Sequence, residues 1–158
     1  MTMPPRLRKL ALTLHVAVSV GWIGAVAAFL ALALTRDAYP AMAAITQYVI
    51  VPLAVASLVT GLVQAVGTPW GLLRHYWVVV KLAFTAVATL VLLVQVGPIT
   101  AVAHGSGGQA ARLSLALHAC GGLLVLVTSL VLSVFKPRGR LTRGPAREQA
   151  APAPLPPP

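Results

Sequence analysis

The sequence predicts an all-α protein, a four-helix transmembrane bundle with its N-terminus and its C-terminus both cytoplasmic. Three observations carry that expectation. First, 58 % of the 158 residues are hydrophobic and only 9 % are charged, with a mean hydropathy of +0.88. A soluble domain is about 25 % charged, and a chain this short cannot bury so much apolar side chain in one core. Second, four stretches each reach the roughly 20 apolar residues needed to cross about 30 Å of hydrocarbon. They must be helices, because an unpaired strand edge cannot face lipid. Third, the basic residues are distributed unevenly. With the N-terminus inside, Arg6, Arg8, Lys9, Arg74, Lys81, Lys136, Arg138, Arg140, Arg143 and Arg147 fall on the cytoplasmic side, and only Arg36 and Arg112 outside. Excess Lys and Arg mark cytoplasmic flanks, and two cytoplasmic ends require an even number of spans.

Residues 1–9 form a basic N-terminus, and the membrane domain covers about 10–135. The first span, about 10–34, has a basic start and an Ala31-Leu32-Ala33 run that imitates a signal peptide. Its apolar stretch of about 25 residues exceeds the 7–15 of a signal core, so an uncleaved span is expected. Thr35, Arg36, Asp37 and Pro40 make an outer turn. The second span, about 42–66, contains Pro52, which predicts a kink.

Thr68-Pro69-Trp70-Gly71 then reads as a tight turn, with proline presetting its backbone angle. Arg74 and His75 follow at the inner interface and are candidates to touch lipid phosphate or a partner. Trp70, Tyr76 and Trp77 suit the headgroup level. The third span covers about 77–97. Lys81 lies one turn inside it, where its stem can snorkel to the same interface. Pro98 either ends this span or kinks it, letting the helix run on toward His104. Gly105-Ser106-Gly107-Gly108 reads as a flexible link before the fourth span, about 113–135. The tail, 136–158, is basic and then rich in Ala and Pro, a composition that predicts disorder.

The basic tail and loops suit an anionic cytoplasmic leaflet, through Lys136, Arg138, Arg140 and Arg143 together with Arg74, His75 and Lys81. The net charge of +10 is topology signal and lipid contact rather than a nucleic-acid surface, because the charges straddle span ends.

Helical spacing gathers small and polar residues onto one stripe per span. These stripes are His15, Ser19, Trp22 and Val26; Ser57, Thr60, Gly61 and Gln64; Lys81, Thr85, Ala88, Leu92 and Gln95; and Ser114, His118, Gly121, Gly122, Val125 and Ser129. Small residues allow close approach and polar ones hydrogen-bond between helices, so the stripes should face the bundle interior. Gly21, Ala25 and Ala28 lie on other faces of the first span, open to a neighbouring helix or a second copy.

The only acidic residues, Asp37 and Glu148, lie outside the spans. That excludes paired-carboxylate catalysis and a Ser-His-Asp arrangement, and no catalytic residue or required cofactor is expected. His15, His75, His104 and His118 are the candidate metal or haem ligands. His15 and His118 sit near opposite faces, roughly 12–15 Å apart along the membrane normal, too far for one iron. Same-depth pairs would be His15 with His75, or His104 with His118. Cys120 points about 200° away from His118 on a helix and reads as a small apolar filler.

The stretch Thr60 to Leu82, TGLVQAVGTPWGLLRHYWVVVKL, and the opening LHVAVSVGWIGAVAAFLALAL from Leu14 resemble a family of small four-span membrane proteins of high-GC bacteria, of unknown function. That resemblance implies a four-helix membrane bundle and no particular activity. A fainter similarity, carried by Gly61, Thr68-Pro69-Trp70-Gly71 and Lys81, is to the copper-resistance D family of inner-membrane proteins, and it implies copper handling. The gap from Gly71 to Lys81 is long for that pattern, and methionine-rich character is missing.

Three functions follow as expectations. The first is a non-enzymatic module of the bacterial plasma membrane, an accessory or small-solute transport component. The alternatives are a haem-binding electron carrier using His15 or His118, and a copper-handling protein. A homo-oligomer or membrane partner is compatible with each.

Overall fold

A computed structural model of the protein describes residues 3–35, 38–67, 76–106 and 108–135. The regular structure of these residues is helical: α1 (Pro5–Ala33), α2 (Tyr39–Ile45), a π-helical segment (Thr46–Ile50), α3 (Val51–Gly67), α4 (Tyr76–Ala103) and α5 (Gln109–Phe135). α2, the π segment and α3 run on as one span, so four helices of 27–29 residues are long and apolar enough to cross a membrane. This is the four-helix bundle expected from composition.

The helices outrun the apolar stretches that predict them. At 1.5 Å per residue they reach roughly 40–44 Å, against about 30 Å of hydrocarbon. Hydropathy marks the hydrocarbon slab, whereas backbone hydrogen bonding continues into the headgroup layer. Arg6, Arg8 and Lys9 therefore lie within α1 rather than before it. Its start is set by Pro5, whose missing N–H costs nothing in a first turn.

Each span packs against its neighbours in sequence, and α5 closes the ring against α1. Short connections force this up-down-up-down order. Both ends of the described chain, Met3 and Phe135, lie at one end of the bundle, here called the terminal end; the connections after α1 and α4 lie at the distal end. Met3 N–H donates to the Gly67 carbonyl at 3.1 Å and ties the chain start to the second span. The apolar core is built from Trp22, Val26, Phe29, Met42, Ile50, Ile99, Leu115 and Leu126, among others. Outward faces carry Leu10, Val20, Leu90 and Leu124, which suits a lipid solvent as apolar as the core.

Pro52 is accommodated in the second span by a specific route. A proline ring collides with the carbonyl four residues back, here that of Tyr48. The preceding turn widens, and the Val51 N–H donates to the Thr46 carbonyl, five residues back. A single π turn absorbs the clash without breaking the helix. Pro98, by contrast, lies inside α4, which continues to Ala103, so it does not end the span.

The glycine-rich segment after α4 is a helix stop rather than only a link. Gly105 has φ +83°, a left-handed conformation that costs glycine least. Ser106 N–H donates to the Ala101 carbonyl and Gly105 N–H to that of Val102, the paired bonds of a Schellman motif. Across the distal end, the Arg112 guanidinium lies 4.8 Å from the centre of the Tyr39 ring, a cation–π contact joining α2 to the first turn of α5.

Candidate functional site

Two polar features lie inside the bundle, one in each half. Near the terminal end, hydroxyls and one imidazole pair across α1 and α3. Ser19 and Ser57 share a hydrogen bond between their hydroxyls at 2.8 Å. Thr60 donates its hydroxyl proton to the Ala56 carbonyl at 2.7 Å. With that proton committed, His15 Nδ1–H donates to Thr60 Oγ1 across 2.9 Å. In this tautomer the lone pair of the ring sits on Nε2. Gln64 reaches back from α3 to the Ala11 carbonyl at 3.4 Å. His15 fits here because Gly61 leaves room: a Cβ at Gly61 would come within 3.1 Å of His15 Cε1.

The other side of this half is a relay of donors from α4 to α5. Lys81 Nζ donates to Ser133 Oγ at 2.6 Å, and Ser133 Oγ donates to the Ser129 carbonyl at 2.9 Å. Lys81 thus reaches a hydroxyl on the neighbouring helix, two residues from the terminal end of α5. Thr85 and Thr89 are buried and donate to carbonyls of their own helix, at Lys81 and Thr85. Ser129 Oγ is buried without a hydrogen-bond partner among the described residues.

A cavity of about 700 Å³ runs from the middle of the bundle into its distal half. Trp22, Val26 and Phe29 of α1 line its inner wall, with Thr46 and Ile50 of the π segment. The opposite side includes Phe84, Val87 and Val91 of α4 and Leu117 and Gly121 of α5, all exposed to the surroundings of the bundle. The cavity therefore opens sideways, toward lipid, between α4 and α5. Its space comes from small residues: a Cβ added at Gly121 or Gly122 would meet nothing within 4 Å. Ala83, Ala88 and Ala119 widen it further.

Few polar groups reach this cavity. Trp22 is 2 % exposed, and its Nε1–H is covered, with no hydrogen-bond partner among the described residues. Gln95 and His118 line the wall with Thr46. The Thr46 hydroxyl is committed to the Met42 carbonyl at 2.7 Å. His118 Nδ1–H donates to the Ser114 carbonyl at 2.7 Å, which leaves its lone pair on Nε2. An apolar chamber with a few oriented polar groups has the makeup and size of a small-molecule site.

The predicted stripes are thus partly brought together. Ser19, Gln64, Thr85 and Ser129 lie between helices, and Gln95 faces the cavity. Ser114 and His118 bond along their own helix, and His118, though exposed, lines the cavity with Gln95. Leu115 and Ala119, one position further along, face the core instead. His104 is exposed beyond the end of α4. His15 lies ten residues into α1 and His118 nine residues into the antiparallel α5, so they belong to opposite halves. No three His, Cys, Asp or Glu side chains gather among the described residues. Arg74, His75, Lys136, Arg138, Arg140 and Arg143 lie outside the described residues.

Ser133 and Thr46 were not singled out by the sequence. Ser133 follows Ser129 by one helical turn, a spacing that signals a shared face. Thr46 precedes Pro52 by six residues and opens the π turn that lines the cavity. Comparison with protein-family models, with curated proteins and with solved structures finds no match.

Proposed function

We propose that this multi-pass membrane protein is a non-enzymatic module of the bacterial cytoplasmic membrane that binds a lipophilic small molecule arriving from the bilayer, as an accessory or transport component. The observation that carries this reading is the cavity of about 700 Å³ opening between α4 and α5. A phospholipid-facing helix pair normally closes by interdigitation. Here Gly121, Gly122 and Ala119 hold the space open along α5, and the π segment carries Thr46 and Ile50 into its wall. π turns are frequent at functional sites.

The test uses the full chain in nanodiscs and an alkylnaphthalene probe, with empty nanodiscs as the reference for simple partitioning. Saturable binding by the wild type is expected. Gly122→Leu should abolish it by filling the chamber, while Gly24→Leu, at a position with nothing within 4 Å of a Cβ and outside the cavity lining, should retain it. Uptake no greater than that of empty nanodiscs would overturn the reading.

A further inference from the structure

Resting on that reading, we infer that the guest is a lipophilic alcohol or phenol: its hydroxyl donates to Nε2 of His118, and the amide of Gln95 donates to an oxygen of the same molecule. Both side chains line the cavity. Neither is covered: His118 is exposed, and Gln95 is half-buried with neither amide atom enclosed. The Gln95 amide has no hydrogen-bond partner among the described residues, and His118 is bonded through Nδ1 alone. The tautomer decides what His118 asks of a guest. The Ser114 carbonyl can only accept, so the bond of 2.7 Å puts the ring proton on Nδ1. Nε2 is then an acceptor, turned by the ring geometry away from that carbonyl. Hydrocarbon offers it no donor, and an unmet polar group there is costly. A guest that brings an O–H satisfies it; a ketone, an ether or an ester does not. An amine would carry its charge to this depth, at a high cost. A hydroxyl is the smallest neutral group that both donates and accepts, leaving an oxygen lone pair for the Gln95 amide.

The α4–α5 hairpin brings the two groups to one level. Gln95 lies eight residues from the distal end of α4, and His118 nine from that of α5. At 1.5 Å per residue these are roughly 12 and 14 Å below the distal helix ends. Helices of 28 and 27 residues overshoot a core of about 30 Å by roughly 5–6 Å on each side. Gln95 and His118 thus stand roughly 6–9 Å inside the hydrocarbon boundary, on either side of the opening between α4 and α5. A phospholipid does not serve them. Its ester oxygens stay at that boundary and only accept, and any headgroup hydroxyl lies further out. Its acyl chains would fill the chamber and leave both groups unmet. A compact alcohol free to sink below the headgroups carries its hydroxyl to them, and Phe84, Val87, Val91 and Leu117 suit its apolar body.

The experiment uses the full chain in nanodiscs of phosphatidylcholine, a lipid without a hydroxyl. The probes are a long-chain alkylnaphthol, its methyl ether, and the alkylnaphthalene that lacks the oxygen. Binding of each is referred to its own uptake by empty nanodiscs. The naphthol is expected to bind about 3- to 10-fold more tightly than its ether, the advantage of one net hydrogen bond. His118→Phe should remove that preference and leave alkylnaphthalene binding intact. Gln95→Leu should weaken the naphthol and the ether alike and spare the alkylnaphthalene. The nitrogen resonance of His118 Nε2, assigned by its loss in His118→Phe, should move upfield with the naphthol and not with the alkylnaphthalene. If all three probes bind equally and the His118 resonance stays still, the hydroxyl inference falls while the cavity reading stands. If no probe binds above empty nanodiscs, the cavity reading itself falls and takes the inference with it. A preference for the naphthol that survives His118→Phe would place its hydroxyl elsewhere and overturn the inference. So would a His118 resonance that moves with protein concentration in the absence of probe, which would assign Nε2 to a second copy.

Discussion

Lys81 Nζ donates to Ser133 Oγ across 2.6 Å, joining the third and fourth spans in the half of the bundle that holds both chain ends. No carboxylate occurs in any span, so this cation is held by a hydroxyl rather than by a countercharge. Ser133→Ala removes an acceptor from a partly buried ammonium and should cost about 1–3 kcal/mol. Lys81→Met removes the charge along with the bond and should cost less. The double variant should match Lys81→Met alone. Reversible unfolding in mixed micelles reads all three, and simple additivity would show that the two side chains are not coupled.

The Ser19–Ser57 pair makes a second, neutral test of the α1–α3 seam. Each serine-to-alanine change should cost about 0.5–1 kcal/mol, the range found for interhelical hydrogen bonds in membranes. The double change should cost no more than the larger single one. Two costs that sum would mean that each hydroxyl has found another partner.

Gly61 and Gly24 should respond oppositely to alanine. At Gly61 the new methyl would stand 3.1 Å from His15 Cε1, and at Gly24 it meets nothing within 4 Å. Gly61→Ala should lower stability by about 1 kcal/mol through overpacking. Gly24→Ala should raise it by about 0.5–1 kcal/mol through backbone entropy. Adding His15→Ala should recover most of the Gly61→Ala loss. The same unfolding assay decides it, and a loss that His15→Ala does not relieve would place the strain elsewhere.

Pro52→Ala removes the ring that forces the π turn at Thr46–Ile50. The second span can then relax to a regular α-helix, turning Thr46 and Ile50 by about 100° per residue dropped from the turn. Probe binding in the cavity should fall several-fold while stability holds or rises. Unchanged affinity would show that the π turn does not shape the chamber.

Orientation is open to direct labelling. In a Cys120→Ala background, Ser106→Cys should react with an impermeant maleimide added outside intact cells. Met3→Cys should react only after the membrane is opened. The reverse pattern would invert the topology drawn from the ten-to-two division of basic residues.

Some of the interior could be read from spacing alone. Ser19, Ser57, Thr60 and Gln64 recur at helical intervals, and the structure places them along the α1–α3 seam. Ser114 and His118 recur just as regularly, yet they bond along their own helix, and Leu115 and Ala119 face the core. Polarity did not distinguish the two cases, because a threonine, serine or histidine can satisfy itself on the carbonyl four residues back. Lys81 is a further instance: its long stem can carry the ammonium along the helix, and only the neighbouring helix shows that Ser133 is the hydroxyl it meets.

The sequence by itself determined that the chain is helical, that it has four spans, and where the proline and glycine interruptions fall. These follow from local chemistry: the length of an apolar run, the missing N–H of Pro52, the left-handed freedom of Gly105. The tertiary structure alone decided which faces meet. It set Trp22, Gln95 and His118 around one cavity and turned Lys81 toward Ser133. The reason is the solvent. In water, the rotation of a helix about its axis is written in the contrast between apolar and polar faces. These helices are apolar nearly all round, and lipid is as apolar as the core. Their rotation is therefore set by small-residue packing and a few hydrogen bonds between helices, which exist only once the partner helix is in place.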